Sequence, residues 1–142
     1  MSSVKENNLM KKNTVLILMF IAVSIQSFAQ NNHTNQKPKL IMLDKLSPNS
    51  SQVLNGPPET VTMRSGYIVL APSKSVGRHS TKDNEEALVI LAGKGEFRII
   101  GGAMLHLQPY CVAYCPPNTE HDVVNTGTDT LRYIYIVARA GK

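Results

Sequence analysis

The chain has 142 residues, with 15 lysines and arginines against 10 aspartates and glutamates, a net charge of +5. That length suits one domain and leaves little for a second. The basic residues are scattered and form no stripe with interleaved aromatics, which argues against a nucleic-acid surface.

The first 29 residues read as an export signal. Lys5, Lys11 and Lys12 make a positive start, and an apolar run follows from Val15 to Ile25. Ser27 and Ala29 are the small residues a signal peptidase needs, placing the cut before Gln30. The run falls well short of the roughly 20 residues that span a bilayer, and no cysteine near the cut offers a lipid attachment point. The expected product is exported, periplasmic or secreted, without stable membrane insertion. Loss of Lys5, Lys11, Lys12 and Glu6 lowers its net charge to +3.

Residues 30–59 read as an N-terminal arm and an irregular edge. Asn31 to Lys39 is polar and without periodicity, with His33 solvated. Leu40 to Leu46 is predicted as a first strand, and Ser47 to Glu59, rich in Pro, Asn and Ser, as a loop or irregular edge. Residues 60–140 have a different character. Thr60 to Leu70 and Ala87 to Ala92 are β-rich runs, and Gly95 to Ile100 and Ala103 to Leu107 flank Gly101-Gly102, a hairpin signal. Cys111 to Cys115 is a run stopped by Pro116-Pro117, and Asp122 to Val124 and Leu131 to Ala138 complete the series. Short runs between turns, with no helical stripe, predict an antiparallel sandwich or barrel. Cys111 and Cys115 on one strand stand about 13 Å apart at ~3.3 Å per residue. That is too far for a disulfide, so both are expected as small buried thiols rather than redox groups, with a place for Cys115 close to a functional site as the lesser reading.

Two segments concentrate chemistry. In the first, His79 ends one strand and Glu86 begins the next across a polar turn, so the two side chains are expected to face each other across a hairpin. Glu86, Leu88 and Ile90 share one face of that strand, and Glu85 points the other way. In the second, Pro116 and Pro117 stop a strand, Asn118 takes a positive-φ turn, and His121 starts a strand that brings in a second imidazole. Two imidazoles and a carboxylate suit a divalent transition metal (Zn, Fe, Mn or Ni) and leave positions open for water or substrate. Tyr133 and Tyr135 share a face of the last strand and are expected in the core, with the lining of a ligand pocket as the lesser reading. His106, Arg64 and Arg78 are expected at the surface, with contact to an anionic substrate as the lesser reading for the two arginines.

These segments resemble the two motifs of the cupin superfamily. The first runs G, five residues, H-x-H, three or four residues, E, six residues, G. His79, Glu86 and Gly93 fall on it, with Thr81 at the second histidine and Ser73 at the leading glycine. The second runs G, five residues, P-x-G, two residues, H, three residues, N. Pro116, His121 and Asn125 fall on it, with Tyr110 and Asn118 at the glycines. The resemblance implies an all-β fold, the double-stranded β-helix or jelly-roll barrel, with His79, Glu86 and His121 as metal ligands. It also implies a small-molecule ligand.

The activities implied are those of metal-dependent enzymes such as dioxygenases and isomerases. The alternative is a non-catalytic binding module for a sugar-like molecule, with the site degenerate at Thr81. Cupins also dimerise through sheet edges, and a homodimer exchanging Leu40 to Leu46 is compatible with either reading.

Overall fold

Period-two alternation of buried and exposed side chains sets the strands. The computed structural model describes residues 36–141, so the expected signal, its cut before Gln30, most of the arm and His33 lie outside the described residues. Nine strands follow one another: β1 Ser51–Asn55, β2 Arg64–Leu70, β3 His79–Ser80, β4 Asn84–Ala92, β5 Gly95–Ile99, β6 Met104–Leu107, β7 Val112–Cys115, β8 Glu120–Val124 and β9 Leu131–Arg139. They form two sheets, β1-β2-β9-β4-β7 and β3-β8-β5-β6. Every pairing is antiparallel. This is the all-β jelly roll that the sequence implied.

The inner faces supply the core. Leu88 and Ile90 of β4, Phe97 of β5, Ala113 and Cys115 of β7, Val123 of β8, and Leu131 and Tyr133 of β9 pack together. Side chains opposed across an antiparallel pair point to the same face, so the register defines rows across the larger sheet. One row runs Arg64, Val137, Glu86, Cys115, and the next runs Gly66, Tyr135, Leu88, Ala113. The Gly101 turn joins β5 to β6 as expected, with Gly101 at φ 74.

Two expectations need correction. Leu40 to Leu46 is not a strand: it holds a single 3₁₀ turn, Leu43–Lys45, closed by Lys45 N–H to Met42 O and Leu46 N–H to Leu43 O at 3.2 Å each. Ile41, Leu43 and Leu46 are half-buried while Leu40 and Met42 stay exposed, and the segment pairs with no strand, so local bonds replace a ladder. The other concerns His79 and Glu86 and is taken up with the site below. The segment read as a loop or irregular edge does hold an irregular edge: Ser51–Asn55 pairs with β2, with a register shift between Gln52 and Leu54.

The motif's glycine positions keep the glycine conformation without the glycine. Ser73, Tyr110 and Asn118 have φ of 60, 65 and 57°, a region that costs a side-chain-bearing residue about 1–2 kcal/mol. Tyr110 is 97% exposed, so its ring packs on nothing of consequence, and its N–H donates to Ile90 O at 2.9 Å through the backbone alone. Tyr110→Gly is therefore expected to raise the unfolding free energy by about 0.5–1 kcal/mol, the relief of strain less the extra freedom of the unfolded chain. Urea denaturation with an unchanged slope checks it.

Asn125 ties the end of the barrel away from the metal ligands, beside the start of β9. It is fully buried. Its amide donates to Leu70 O at 2.8 Å and Asp129 O at 2.9 Å, and its carbonyl oxygen accepts from Gly127 N–H at 2.9 Å. The motif asparagine is thus a loop tie.

Candidate metal centre

The route by which the three expected ligands meet differs from the simple hairpin. β3 does not pair with β4. It pairs with β8, where His79 stands opposite His121. Glu86 lies in the other sheet, opposed to Cys115 and Val137. The polar stretch between His79 and Glu86 crosses from one sheet to the other, so the carboxylate faces the imidazoles across the barrel interior. The ligand atoms of His79, Glu86 and His121 all lie within 4.8 Å of one another. The rings of His79 and His121 are 4.4 Å apart at 63°.

His121 is held on every side. Pro116 and Pro117 end β7, and Asn118 reverses the chain, with its N–H bonded to Lys82 O at 2.5 Å. Alternation then turns His121 inward, where it is fully buried against Phe97, ring to ring at 5.0 Å. Its Nδ1 lies 3.0 Å from Thr119 O, which only accepts, so Nδ1 carries the proton and Nε2 presents a lone pair. That lone pair faces Glu86 Oε2 at 3.1 Å. Both atoms are buried and have no hydrogen-bond partner. Two acceptors at that distance repel unless a proton or a cation lies between them.

His79 is exposed but oriented in the same way. Its Nδ1 is 2.8 Å from Gly77 O, which frees Nε2 toward the site. Gly77 is itself fixed. Its N–H meets Ser75 Oγ at 2.8 Å and Asp122 Oδ1 at 3.0 Å, and Ser75 donates to Asp122. Metal-binding histidines are typically set by a second acceptor of this kind. The donor set therefore fits a divalent transition metal of the nitrogen-and-oxygen type, with coordination positions left for water or ligand.

Titration follows the same contacts. Burial pushes the His121 imidazole down, but the Glu86 carboxylate, the Thr119 carbonyl and Asp122 outweigh it, and the net shift is upward from 6.5. Burial, and then Glu86, raises Cys115 and keeps it a thiol. Burial, then Glu86 and Asp122, raises the Tyr133 phenol.

A cavity of about 660 Å³ opens over the site, with His79 and Glu86 in its wall beside Ile68, Val123 and Tyr133. Thr81, at the motif's second histidine, also lines it, but its hydroxyl donates to Asn84 O at 3.0 Å and serves the turn. Tyr133 belongs to the core as expected, yet both Tyr133 and Tyr135 also line the cavity. Arg64 is exposed, as expected, and stands in the cavity wall, whereas Arg78 pairs with Glu120 at the surface. Glu85, on the opposite face, accepts from Tyr114, and His106 is exposed.

Two further groups support the site. Cys115, which its place just before Pro116 put near the site without a role, has Sγ 3.2 Å from His121 Nδ1, behind the ring and away from Glu86's side. The other was missed by sequence reading. Asp122 and Ser75 steady His79 through a long-range contact that no local pattern announces.

Comparison with known proteins agrees with this fold. The chain is similar to the cupin domain of Cnp3 from Schizosaccharomyces pombe, at 16% identity and a TM-score of 0.57, covering 64% of this chain and 60% of that one. It also resembles an uncharacterised protein with a double-stranded β-helix domain from Klebsiella pneumoniae, at 17% identity and a TM-score of 0.60, covering 72% and 91%. A protein from Thermotoga maritima described as a predicted oxalate decarboxylase aligns at 16% identity and a TM-score of 0.56, covering 72% and 100%. At these identities the likeness concerns the fold. Among curated proteins nothing matches. The family model "Cupin_2: Cupin domain" matches residues 66–137, about half of the chain and every strand from β3 to β8; the chain belongs to that family of cupin domains.

Proposed function

We propose that this chain is an exported cupin that binds a divalent transition metal (Zn, Fe, Mn or Ni) through His79, Glu86 and His121 and acts on a small molecule in the cavity above it. The observation that carries the reading is the buried, partnerless pair of acceptors, Glu86 Oε2 and His121 Nε2, 3.1 Å apart with His79 beside them. A bound metal would supply a Lewis acid that polarises a substrate oxygen, as in dioxygenases and isomerases of this superfamily. The protein's own share is to present two neutral imidazoles with fixed tautomers, to hold the carboxylate in register on β4, and to wall the space with Ile68, Val123 and Tyr133. A non-catalytic binding module is the second reading. It is favoured by Thr81, whose hydroxyl is committed to the turn and adds no fourth ligand.

The test is metal content after purification without a metal-affinity tag, combined with melting over a pH series. Near-stoichiometric metal is expected, and chelation is expected to lower the melting temperature in a pH-dependent way. In chelated protein, the raised pKa of His121 means that the protonated pair with Glu86 contributes fully below 6.5 and is lost as pH rises through the raised value. Metal requires the neutral ring, so its contribution grows over the same window. The melting gap between metal-loaded and chelated protein should therefore widen above 6.5. Protein that holds no metal, or a gap that does not change with pH, sinks the proposal.

A further inference from the structure

We propose that the cavity ligand is a small carboxylic acid whose carboxylate is held by Arg64, a refinement that rests on the metal-site reading above. Arg64 of β2 stands in the same sheet row as Glu86, with Val137 of β9 between them. Residues of one row face the same side, so Arg64, itself exposed, stands at the mouth of the cavity level with the metal ligands, its Cα about 10 Å from that of Glu86 across two strand spacings. Its stem lies over Gly56. A Cβ there would come within 2.9 Å of Nε and 3.0 Å of Cγ, so the glycine leaves the space in which the side chain rests.

The rest of the wall is already occupied with itself. Gln52 donates to Leu54 O at 2.6 Å and Ser65 O at 2.9 Å and accepts from the Tyr135 hydroxyl at 3.0 Å. Thr81 and Asn84 bond to each other's backbone carbonyls, and Ser80 accepts from Lys82 N–H. Among the described residues, the two cations in the cavity wall, Arg64 and Lys82, make no ion pair, whereas Arg78, Arg98 and Arg139 each have an acidic partner. Lys82 is presented at the rim from a left-handed turn, φ 56°. A divalent ion would neutralise Glu86, the one acid in the wall, leaving the cavity's field positive. Unpaired guanidinium and ammonium groups above an open metal site match a molecule with an oxyanion at one end and a ligating oxygen at the other. The planar fork of Arg64 selects a carboxylate over a point charge.

The experiment titrates the metal-loaded protein calorimetrically with glycolate and succinate, and in parallel with the neutral glycolamide and succinamide. Metal content is measured before and after. The acids are expected to bind about 10-fold or more tightly than the amides, the effect of one charge-assisted pairing. Arg64→Gln, which keeps most of the stem, is expected to abolish that preference while metal content and melting temperature stay at wild-type values. Equal binding of acid and amide by metal-loaded protein overturns the proposal, as does an acid preference that survives in Arg64→Gln. If the wild type holds no metal, the metal reading fails by itself. The acid-over-amide preference is then read on the metal-free protein, where its presence supports Arg64 as the anchor and its absence overturns it.

Discussion

His121→Ala is expected to lose the bound metal and also several kcal/mol of fold stability, whereas His79→Ala loses the metal and leaves the fold nearly as stable as before. Both residues belong to the proposed metal centre, but their surroundings differ. The His121 side chain is 1% exposed and the Glu86 side chain 6%, and the imidazole fills space against Phe97. Its removal strands a buried carboxylate and leaves a void, a loss of about 3–5 kcal/mol for one partner of a buried pair. His79 is exposed, its Nδ1 contact is to the backbone of its own loop, and surface substitutions of this kind stay within about 0.5 kcal/mol. Urea unfolding of both variants in chelator, set beside their metal content, gives the comparison. Metal retained by His79→Ala would contradict the site. An unchanged unfolding midpoint for His121→Ala would contradict the buried pairing.

The second large effect concerns the motif glycine. Gly93→Ala is expected to destabilise the protein by about 4 kcal/mol, combining left-handed strain with backbone overlap. Gly93 has φ 81°, and a Cβ there would lie 2.6 Å from Thr130 O and 2.7 Å from Leu131 Cα. These are backbone atoms at the start of β9, which cannot turn aside as a side chain does. Gly101→Ala is the control. Its φ is 74°, yet nothing lies within 4 Å of its added Cβ, so only the conformational term of about 1 kcal/mol remains. Denaturation midpoints for the two variants separate strain from collision. Equal losses would mean that the close approach of the β4–β5 turn to β9 is not what requires glycine.

Much of the strand pattern was legible because alternation is local. Leu88 and Ile90 with Glu86, or His121 with Val123, declare their face by spacing of two, and that spacing survives folding. Asn118 was legible for a similar reason: a turn directly after two prolines needs a residue tolerant of positive φ, and it adopts 57°. Leu40 to Leu46 misled for the complementary reason. Apolar composition allows a strand but does not supply an edge for it to join. The short pairing of β3 with β8 was hidden because two residues carry no periodicity.

Sequence alone determined the all-β class, the family motifs and the identity of the three residues that meet, since these depend on residue type and interval along the chain. Only the tertiary structure decided how they meet. His79 and His121 are opposed in one sheet and Glu86 crosses from the other, with Asp122 steadying one imidazole, Cys115 behind the other, and Arg64 level with the carboxylate. The reason is physical. A local pattern says which way a side chain faces, but which strands lie side by side is set by how two sheets bury their inner faces against each other. Residues far apart in the chain become neighbours only through that packing.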